Sequence, residues 1–428
     1  MDLGAPHGEL PASVLRISYE EAVTRLKSNL KVRPSKAISV SDAKGWRLSE
    51  DLVAGWPMPR YSISHMDGYA VRFSDVEAAS DRSPVTLRIE GLSRPDGMGP
   101  RALALGTCVR VLTGGRLPEG ADTVVAQELT RRAGEAVIFS EKPEPHANIH
   151  DAGSDVREGM TLFTKGHLLN ARDLSFLLSY GVTSLHVRPR LRVGVLATGS
   201  ELTERRVGRI EGKVIETNRM VLTEALEACG FSVDDLGLAK DDPKEIASLL
   251  LKANGRCDAI LTTGGSSVSE ADLVPDAVGL LGGTKIFHGL LVRPSRTLGA
   301  YLLGDTPVFL LSGLIQGSLS ALFNMVYPAL RFMAGDGWQP LPSVKAFLSQ
   351  GLRKREGDKF RQVSWVTLRA EGGRILAEPA VAASSTRFVV TKVSGFVVGD
   401  PGQGFQEGEI VEVRIPYGFG LEDSLGGR

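Results

Sequence analysis

The stretch LRVGVLATGSEL, residues 191–202, has the pattern of a buried strand that ends in a glycine turn. Its first seven residues are largely apolar, and Thr198 and Gly199 follow them directly. Two further apolar stretches, residues 258–263 and 306–311, have the length and composition of strands buried on both faces. Three such stretches in the central part of the chain predict the core of a single sheet.

Helical patterns lie between these predicted strands. Residues 218–229 are amphipathic, with Asn218 as a candidate N-cap and Gly230 just past the end. Asp242 and Pro243 open another predicted helix, with the proline in its first turn. Because alternating strands and helices form β-α-β units, the central part of the chain is predicted to be a parallel α/β domain.

The segments on either side have different patterns. Residues 18–30 have the spacing of an amphipathic helix with Ser18 as its cap. Short alternating stretches with turn residues between them indicate two β regions, one before and one after the α/β domain. The strands predicted in them are Val85–Ile89, Thr107–Leu112, Thr123–Glu128, Ala136–Phe139, Val363–Arg369, Arg374–Ala377, Phe396–Val398 and Ile410–Ile415.

The amino-acid composition limits the partners and the cellular compartment that we expect for this chain. The 428 residues carry 50 basic and 50 acidic side chains, so no global field favours nucleic acid or a membrane surface as a partner. No signal peptide is recognisable, and no apolar run reaches the roughly 18 residues that span a bilayer. The three cysteines are widely spaced and indicate buried thiols in a reducing compartment. We therefore expect a cytoplasmic protein that binds neither nucleic acid nor membranes.

Two predicted strand ends carry a glycine loop and an acidic residue. One is Thr198-Gly199-Ser200-Glu201, and the other is Thr263-Gly264-Gly265-Ser266-Ser267 with Asp272 further on. Ligands of open parallel sheets sit beyond the carboxyl ends of the strands, where glycine lets backbone amides approach a phosphate or an oxyanion. The alternative is a pair of ordinary strand-to-helix turns that happen to use glycine.

Five carboxylates are candidates for holding a hard cation such as Mg²⁺, which binds oxygen ligands. They are Asp67, Asp155, Glu201, Asp241 and Asp272. Each also has a structural alternative. Asp241 or Asp242 would suffice as the cap of the helix at Pro243, and Asp155 would suffice to close a turn.

Arg293 and Arg296 are candidates for binding an anion, because a guanidinium offers fixed donors to a phosphate or tetrahedral oxyanion. They are predicted to lie in a loop before the strand at residues 306–311. A solvated pair on a hairpin is the alternative. The seven histidines show no ligand spacing for zinc, and no nucleophile motif supports a covalent mechanism.

Several motifs together resemble the MoeA family of molybdopterin molybdenumtransferases. They occur in the family's order along nearly the whole chain: MDGYAV at 66–71, TGGRLPEGAD at 113–122, GSD at 153–155, TGSEL at 198–202, IETN at 215–218 and TTGGSSVSEAD at 262–272. The fold implied is a multidomain α/β plus β protein. Its domains are a split N-terminal linker domain (1–66 and 150–186), an inserted β domain (67–149), a central α/β molybdopterin-binding domain (187–338) and a C-terminal β domain (339–428).

The resemblance implies insertion of molybdate into adenylated molybdopterin, with release of AMP. Mg²⁺ or Zn²⁺ is the implied cation, and the implied partners are a second copy of the chain and a MogA-like adenylyltransferase. Asp67, Glu201, Asp241 and Asp272 match the family's catalytic and metal-binding acids. The matched substrate-binding positions are Thr113, Asp155, Thr198, Gly199, Gly264, Gly265, Ser267, Arg293 and Arg296.

Two loops depart from the family pattern. The family's KPGKP reads Arg293-Pro294-Ser295-Arg296-Thr297 here, which keeps both charges but loses a glycine and a proline. The family's LPGNP reads Leu311-Ser312-Gly313-Leu314-Ile315, which loses an amide and two prolines. Milder departures are Ser200 for an acid and Ser269 for a glycine.

The departures leave two alternatives to molybdate insertion. A rebuilt arginine loop would suit tungstate or a different pterin nucleotide. The apolar Leu314 and Ile315 would suit a non-catalytic relative that binds a pterin or a protein partner, because they would turn a ligand loop into a contact surface.

Overall fold

A computed structural model of the chain describes residues 16–188, 190–204, 212–264, 273–352, 357–380 and 387–419. These residues form two compact units. The smaller unit comprises Glu50–His167 and Phe176–Val182, and the larger takes its described residues from Met1–Ser49, Leu168–Ser175 and Thr183–Arg428. The four domains expected from the resemblance divide the chain more finely, and their boundaries stay a prediction.

The larger unit begins with a capped helix, as the sequence predicts. The side chain of Ser18 accepts a hydrogen bond from the Glu21 amide at 3.1 Å, and Ala22 and Leu26 are buried on the inner face. The first elements are α1 (Tyr19–Asn29), β1 (Lys36–Ser39) and β2 (Arg47–Leu48).

The smaller unit is a β structure built on one six-stranded sheet. Its elements are β3 (Leu52–Val53), β4 (Ile63–Ser64), β5 (Gly68–Val71), α2 (Phe73–Val76), β6 (Val85–Ser93), β7 (Thr107–Val111), β8 (Thr123–Ala126), β9 (Thr130–Ala133), β10 (Ala136–Phe139), β11 (Ile149–His150) and β12 (Thr161–Phe163). The sheet order is β8-β5-β7-β6-β10-β9. The prediction of a strand to Glu128 was too long, since a 3₁₀ turn follows Ala126.

The central part of the larger unit is the predicted α/β domain. Two elements precede it: α3 (Ala171–Tyr180), whose residues from Phe176 onward belong to the smaller unit, and β13 (Ser184–Arg188), which pairs with β1 and β2. The elements of the domain are β14 (Arg192–Thr198), β15 (Leu202–Thr203), β16 (Val214–Ile215), α4 (Asn218–Ala228), β17 (Ser232–Ala239), α5 (Pro243–Ala253), β18 (Ala259–Thr263), α6 (Leu273–Leu280), β19 (Thr284–His288), β20 (Val292–Arg293), β21 (Gly299–Leu303), β22 (Thr306–Leu311), α7 (Ile315–Ala321) and α8 (Tyr327–Met333). A π-helical turn over Leu322–Val326 joins α7 to α8.

The central sheet has the order β17-β14-β18-β22-β21-β19, and its first four strands are parallel. Val193 and Val195 belong to one hydrophobic core and Leu196 to another, so β14 is buried on both faces. Burial on both faces explains the nearly continuous apolar run with which the sequence begins this domain. The strand β21 is antiparallel to both of its neighbours, so the sheet is mixed at that edge.

The C-terminal part of the larger unit is again a β structure. Its strands are β23 (Ser343–Leu348), β24 (Arg361–Glu371), β25 (Arg374–Pro379), β26 (Gly395–Gly399) and β27 (Ile410–Arg414), in the order β20-β24-β25-β23-β27-β26. All four strands predicted there are present. The expected fold class, α/β plus β in several parts, is therefore confirmed.

Two further details of the prediction were wrong. Arg293 does not lie in a loop, because β20 pairs with β24 through Val292 and Arg293. The N-cap of α4 is Thr217 rather than Asn218, because Asn218 is the first helical residue and its side chain is engaged elsewhere.

The three cysteines are buried thiols, as the sequence predicts. Cys108, Cys229 and Cys257 are buried and unpaired with one another. Burial raises the pKa of the Cys108 and Cys229 thiols to about 12, so neither is a thiolate at neutral pH. In the described part of the chain, no helix is both long enough and apolar enough to cross a membrane.

Candidate functional site

The candidate site lies at the point where the central sheet changes direction. From β14 the chain passes through α4 to β17 on one side, and α5 then carries it back to β18 on the other side of β14. A crevice forms beyond the carboxyl ends of two such strands, and this is where open α/β sheets bind ligands. Both glycine loops singled out in the sequence begin at the carboxyl ends of these strands, β14 and β18.

Gly264 fits closely against the end of β14. Its φ is +91°, and a Cβ at this position would lie 2.1 Å from the carbonyl oxygen of Thr198. No other residue is compatible with both the backbone conformation and this approach. The ends of β14 and β18 are therefore in direct contact through Thr198 and Gly264.

Gly199 brings a carboxylate to the same loop. A Cβ on Gly199 would lie 2.7 Å from Oε2 of Glu201, so the Glu201 side chain is folded back over the glycine. The backbone amide of Gly199 donates to the carbonyl of Ala239 at the end of β17. Glycine at this position thus gives Glu201 its place at the strand end.

Asp241 is tied to this loop by two reciprocal hydrogen bonds. The Ser200 amide donates to Oδ2 of Asp241 at 2.7 Å, and the Asp241 amide donates to Oγ of Ser200 at 3.0 Å. The helix α5 is capped by Asp242, whose side chain accepts from the Lys244 amide at 3.0 Å. Of the two adjacent acids, Asp242 is therefore the cap, and Asp241 faces the loop of β14.

Asn218 joins the site, although sequence reasoning did not assign it a role there. Its Nδ2 donates to Oγ1 of Thr263 at 3.1 Å and to the carbonyl of Gly313 at 2.9 Å. The Thr263 hydroxyl in turn donates to the carbonyl of Ser312 at 3.1 Å. The start of α4 is thereby fixed to the ends of β18 and β22. The signal in the sequence was the IETN motif at residues 215–218, whose last residue is Asn218.

The two loops that depart from the family pattern both lie against Gly317 in α7. A Cβ on Gly317 would lie 3.0 Å from Cβ of Ser312 and 3.3 Å from the carbonyl oxygen of Pro294. Ser295 is buried, and its hydroxyl donates to Oγ of Ser320 in α7 at 2.7 Å. The serine that replaces the family's glycine therefore packs the arginine loop against α7.

The two arginines of that loop have different environments. Arg293 forms an ion pair with Asp358 and lies 4.1 Å from the ring centre of Phe360. Arg296 is exposed, and its side chain has no ion pair among the described residues. The alternative of two solvated arginines therefore holds for Arg296 but not for Arg293, which is paired with Asp358.

Of the two residues of the suggested contact surface, Leu314 is exposed and Ile315 is buried. Leu314 is 47% exposed, whereas Ile315 is 8% exposed and belongs to the main hydrophobic core with Leu319. Ile315 is buried because it opens α7, whose other residues are also buried.

In the smaller unit, Asp67 and Thr113 form a pair. Oδ1 of Asp67 accepts from both the backbone amide and the hydroxyl of Thr113, each at 2.8 Å. The hydrogen bond from the Thr113 amide, and to a lesser extent the one from its hydroxyl, hold the pKa of the Asp67 carboxyl below its ordinary value.

Asp155 is exposed and follows a turn at Gly153, and its amide donates to the carbonyl of Met58.

Replacing Thr113 by Val is expected to raise the pKa of Asp67, but only partway to its ordinary value. The hydroxyl bond is lost, while the stronger backbone bond remains. Because the folded pKa is depressed, the stability that this carboxylate contributes is present above its unfolded pKa and is lost as the pH falls through the folded pKa. An NMR titration of the Asp67 carboxyl carbon measures the change. An unchanged pKa in Thr113→Val would contradict the role of the hydroxyl.

Three predicted site residues, Gly265, Ser267 and Asp272, lie outside the described residues. Of the others, Thr198, Gly199, Glu201, Asp241 and Gly264 are brought together at the ends of β14, β17 and β18. No group of three or more His, Cys, Asp or Glu in the described ranges is placed to hold a metal ion. Mg²⁺ commonly uses one or two protein carboxylates with substrate phosphates, and the donor chemistry of Glu201 and Asp241 fits that requirement.

Comparison with known proteins identifies the family. Residues 17–181 match the MoeA N-terminal region (domain I and II), and residues 194–331 match a probable molybdopterin binding domain. A molybdopterin molybdenumtransferase of Haemophilus influenzae is 30% identical over 322 residues, which cover 75% of this chain and 78% of the relative. One from Staphylococcus aureus is 25% identical over 412 residues, covering 96% and 98%.

A solved structure gives the same assignment. The molybdopterin biosynthesis MoeA protein of Pyrococcus horikoshii superimposes with a TM-score of 0.78 at 26% sequence identity, covering 94% of this chain and 100% of that one. The chain therefore belongs to the MoeA family of molybdopterin biosynthesis proteins.

Proposed function

We propose that this chain inserts molybdate into adenylated molybdopterin and releases AMP. The observation that carries the proposal is the surface at the ends of β14 and β18. There, Gly264 packs on Thr198, Glu201 is folded back over Gly199, and Asp241 is held by hydrogen bonds to the neighbouring Ser200. Family membership, and the names of the relatives, support molybdenum cofactor biosynthesis as the setting.

The proposed mechanism is electrostatic. The amides of Gly199 and Ser200 are engaged within the protein, so the glycine loop that begins at Gly264 would hold the phosphates. Glu201 and Asp241 would orient a divalent cation such as Mg²⁺ or Zn²⁺ on the phosphoanhydride. That cation, when bound, supplies positive charge to the bond that breaks. Holding the oxyanion beside the dithiolene would make the attack effectively intramolecular.

The wider setting is also proposed. Asp67 and Asp272 would complete the set of acids, and Thr113 would hold Asp67 in its charged form. A homodimer in the cytoplasm, supplied with adenylated molybdopterin by a MogA-like adenylyltransferase, is the assembly that the resemblance implies.

The direct experiment measures AMP release by the full-length protein from adenylated molybdopterin with Mg²⁺, in the presence of molybdate or tungstate. Release that depends on molybdate supports the proposal, and release that depends on tungstate alone moves the substrate to tungsten. Nucleotide binding without release under either oxyanion would leave a carrier or scaffold. The exposed Leu314 is the one part of the suggested contact surface that agrees with a scaffold.

Asp241→Asn and Asp242→Asn form a matched pair that separates charge from structure. An asparagine at 241 still accepts from the Ser200 amide but removes the negative charge, so we expect AMP release to fall at least about tenfold, as for loss of a charged group that holds the cation. An asparagine at 242 is as good a cap as aspartate, and we expect activity within about twofold of wild type. Equal activity of the two variants would remove Asp241 from the mechanism.

A further inference from the structure

A surface cavity of the larger unit is lined by α1 and by the C-terminal β structure. Its volume is about 390 Å³, which lies in the range of about 300–1,000 Å³ that is usual for small-molecule sites. Its lining residues include Tyr19, Glu20, Val23, Trp338, Pro340 and Arg414. Among the described residues, the cavity shares none of its lining with the site at the ends of β14, β17 and β18. It is therefore a second candidate site, with aromatic and apolar walls and one positive charge.

Polar contacts hold the two aromatic walls of this cavity in place. Nε1 of Trp338 donates to Oη of Tyr19 at 3.4 Å, and the Tyr19 hydroxyl donates to the backbone carbonyl of Asn324 at 3.1 Å. The guanidinium carbon of Arg361 lies 4.1 Å from the centre of the Tyr19 ring, and Arg361 forms an ion pair with Glu20 at 3.2 Å. Because both rings are already ordered, a flat ligand can bind against them at a low cost in side-chain entropy.

Arg414 differs from Arg361 because no carboxylate pairs with it in the described part of the chain. The hydrogen bond of its side chain to a described residue runs from Nη1 to Oδ1 of Asn324, at 3.3 Å. Burial is the main reason that the pKa of Arg414 is lowered, which shows that its charge is partly desolvated. A guanidinium that is partly buried without a counter-charge favours an anion as its ligand.

We propose that this cavity binds a small aromatic carboxylate, whose acid group pairs with Arg414 and whose ring lies against Tyr19 and Trp338, and that the bound acid acts on the loop of Ser295. Guanidinium donors match the two oxygens of a carboxylate, and aromatic side chains bind another ring by stacking or by edge-to-face contact. A phosphate group, which carries more negative charge, is matched less well, because Arg414 is the only cation among the described lining residues.

A chain of hydrogen bonds leads from Arg414 to the loop of Ser295. Asn324, which accepts from Arg414, donates through Nδ2 to the carbonyl of Ser320 at 3.2 Å, and the Ser320 hydroxyl accepts from that of Ser295 at 2.7 Å. Asn324 lies in the π-helical turn between α7 and α8, and such turns are frequent at functional sites. An acid that draws Arg414 away from Asn324 removes one bond from this chain, so we expect the Ser295 loop to loosen when the cavity is occupied.

Isothermal titration of the full-length protein with benzoate tests the site, with benzyl alcohol as the uncharged analogue and acetate as the acid without a ring. We expect benzoate to bind at least about tenfold more tightly than either analogue, and Arg414→Gln to weaken benzoate about tenfold, as for a hydrogen bond to a charged group. Arg414→Lys should recover part of the loss. Arg369→Gln, which removes an exposed arginine of β24, is the control and should leave the affinity unchanged. Absence of benzoate binding, or equal affinities in wild type and Arg414→Gln, would overturn the site, and thermal melts of each variant exclude unfolding.

Hydrogen exchange tests the effect on the loop. The Leu298 amide donates to the carbonyl of Ser295, so its exchange rate reports opening of this loop. Saturating benzoate should speed that exchange about twofold or more in wild type. Ser320→Ala, which removes the hydroxyl that Ser295 contacts, should bind benzoate as wild type does but lose the change in exchange. Unchanged exchange in the wild-type complex would overturn the action on the loop. Neither experiment measures AMP release, so this inference can fail while the proposed function holds, and the reverse.

Discussion

Replacing Gly264 by Ala is expected to destabilise the larger unit by about 3 kcal/mol or more. A left-handed backbone costs an ordinary residue roughly 1–2 kcal/mol. The methyl group would also lie 2.1 Å from the Thr198 carbonyl oxygen, so the ends of β14 and β18 would have to separate. AMP release should be lost together with stability, because Glu201 and Asp241 are held at the end of β14.

Gly282→Ala is the matched control for this change. Gly282 has a φ of +72°, but a Cβ there would meet no atom within 4 Å. It should therefore show the backbone cost alone, about 1–2 kcal/mol. Denaturant unfolding followed by circular dichroism compares the two variants. If they lost the same stability, the close contact with Thr198 would have no energetic consequence.

Strands and helices of the central domain were predictable because burial on both faces leaves a direct trace in the sequence. The strand expected at residues 306–311 has the bounds Thr306–Leu311. In the smaller unit, the alternating strand Ala136–Phe139 also has its predicted bounds. The helix at Pro243 begins where the cap and the proline place it. These features depend on neighbours within a few residues, which periodicity and capping rules describe.

The site was predictable only in part, because its assembly depends on contacts between distant segments. Glycine loops at two strand ends indicated that Thr198 and Gly264 would lie near each other, since parallel strands end at one edge. Nothing local showed that Asn218 would bind the end of β18, or that Ser295 would meet Ser320. The sequence also did not show which of Asp241 and Asp242 caps α5, because that depends on the hydrogen-bond partner of each side chain.

Arg219→Met is the second change for which we expect a large effect. The Arg219 side chain is 11% exposed and forms ion pairs with Glu204, Glu216 and Asp235. The Glu216 side chain is only 4% exposed, and it also accepts from the Arg219 amide at 3.0 Å. Removing one partner of a buried pair leaves an uncompensated charge, which costs about 3–5 kcal/mol. The start of α4, and with it Asn218, should lose its anchoring.

The double variant Arg219→Met with Glu216→Gln tests that explanation. If the cost comes from the buried charge of Glu216, neutralising it should recover most of the lost stability, since a buried pair replaced as a whole is often nearly neutral. Lys31→Met breaks the exposed pair with Asp305, whose side chains are 68% and 62% exposed, and should cost no more than about 1 kcal/mol. Denaturant midpoints of the three variants give the comparison. A double variant as unstable as Arg219→Met would mean that lost packing around the arginine, rather than the carboxylate left behind, sets the cost.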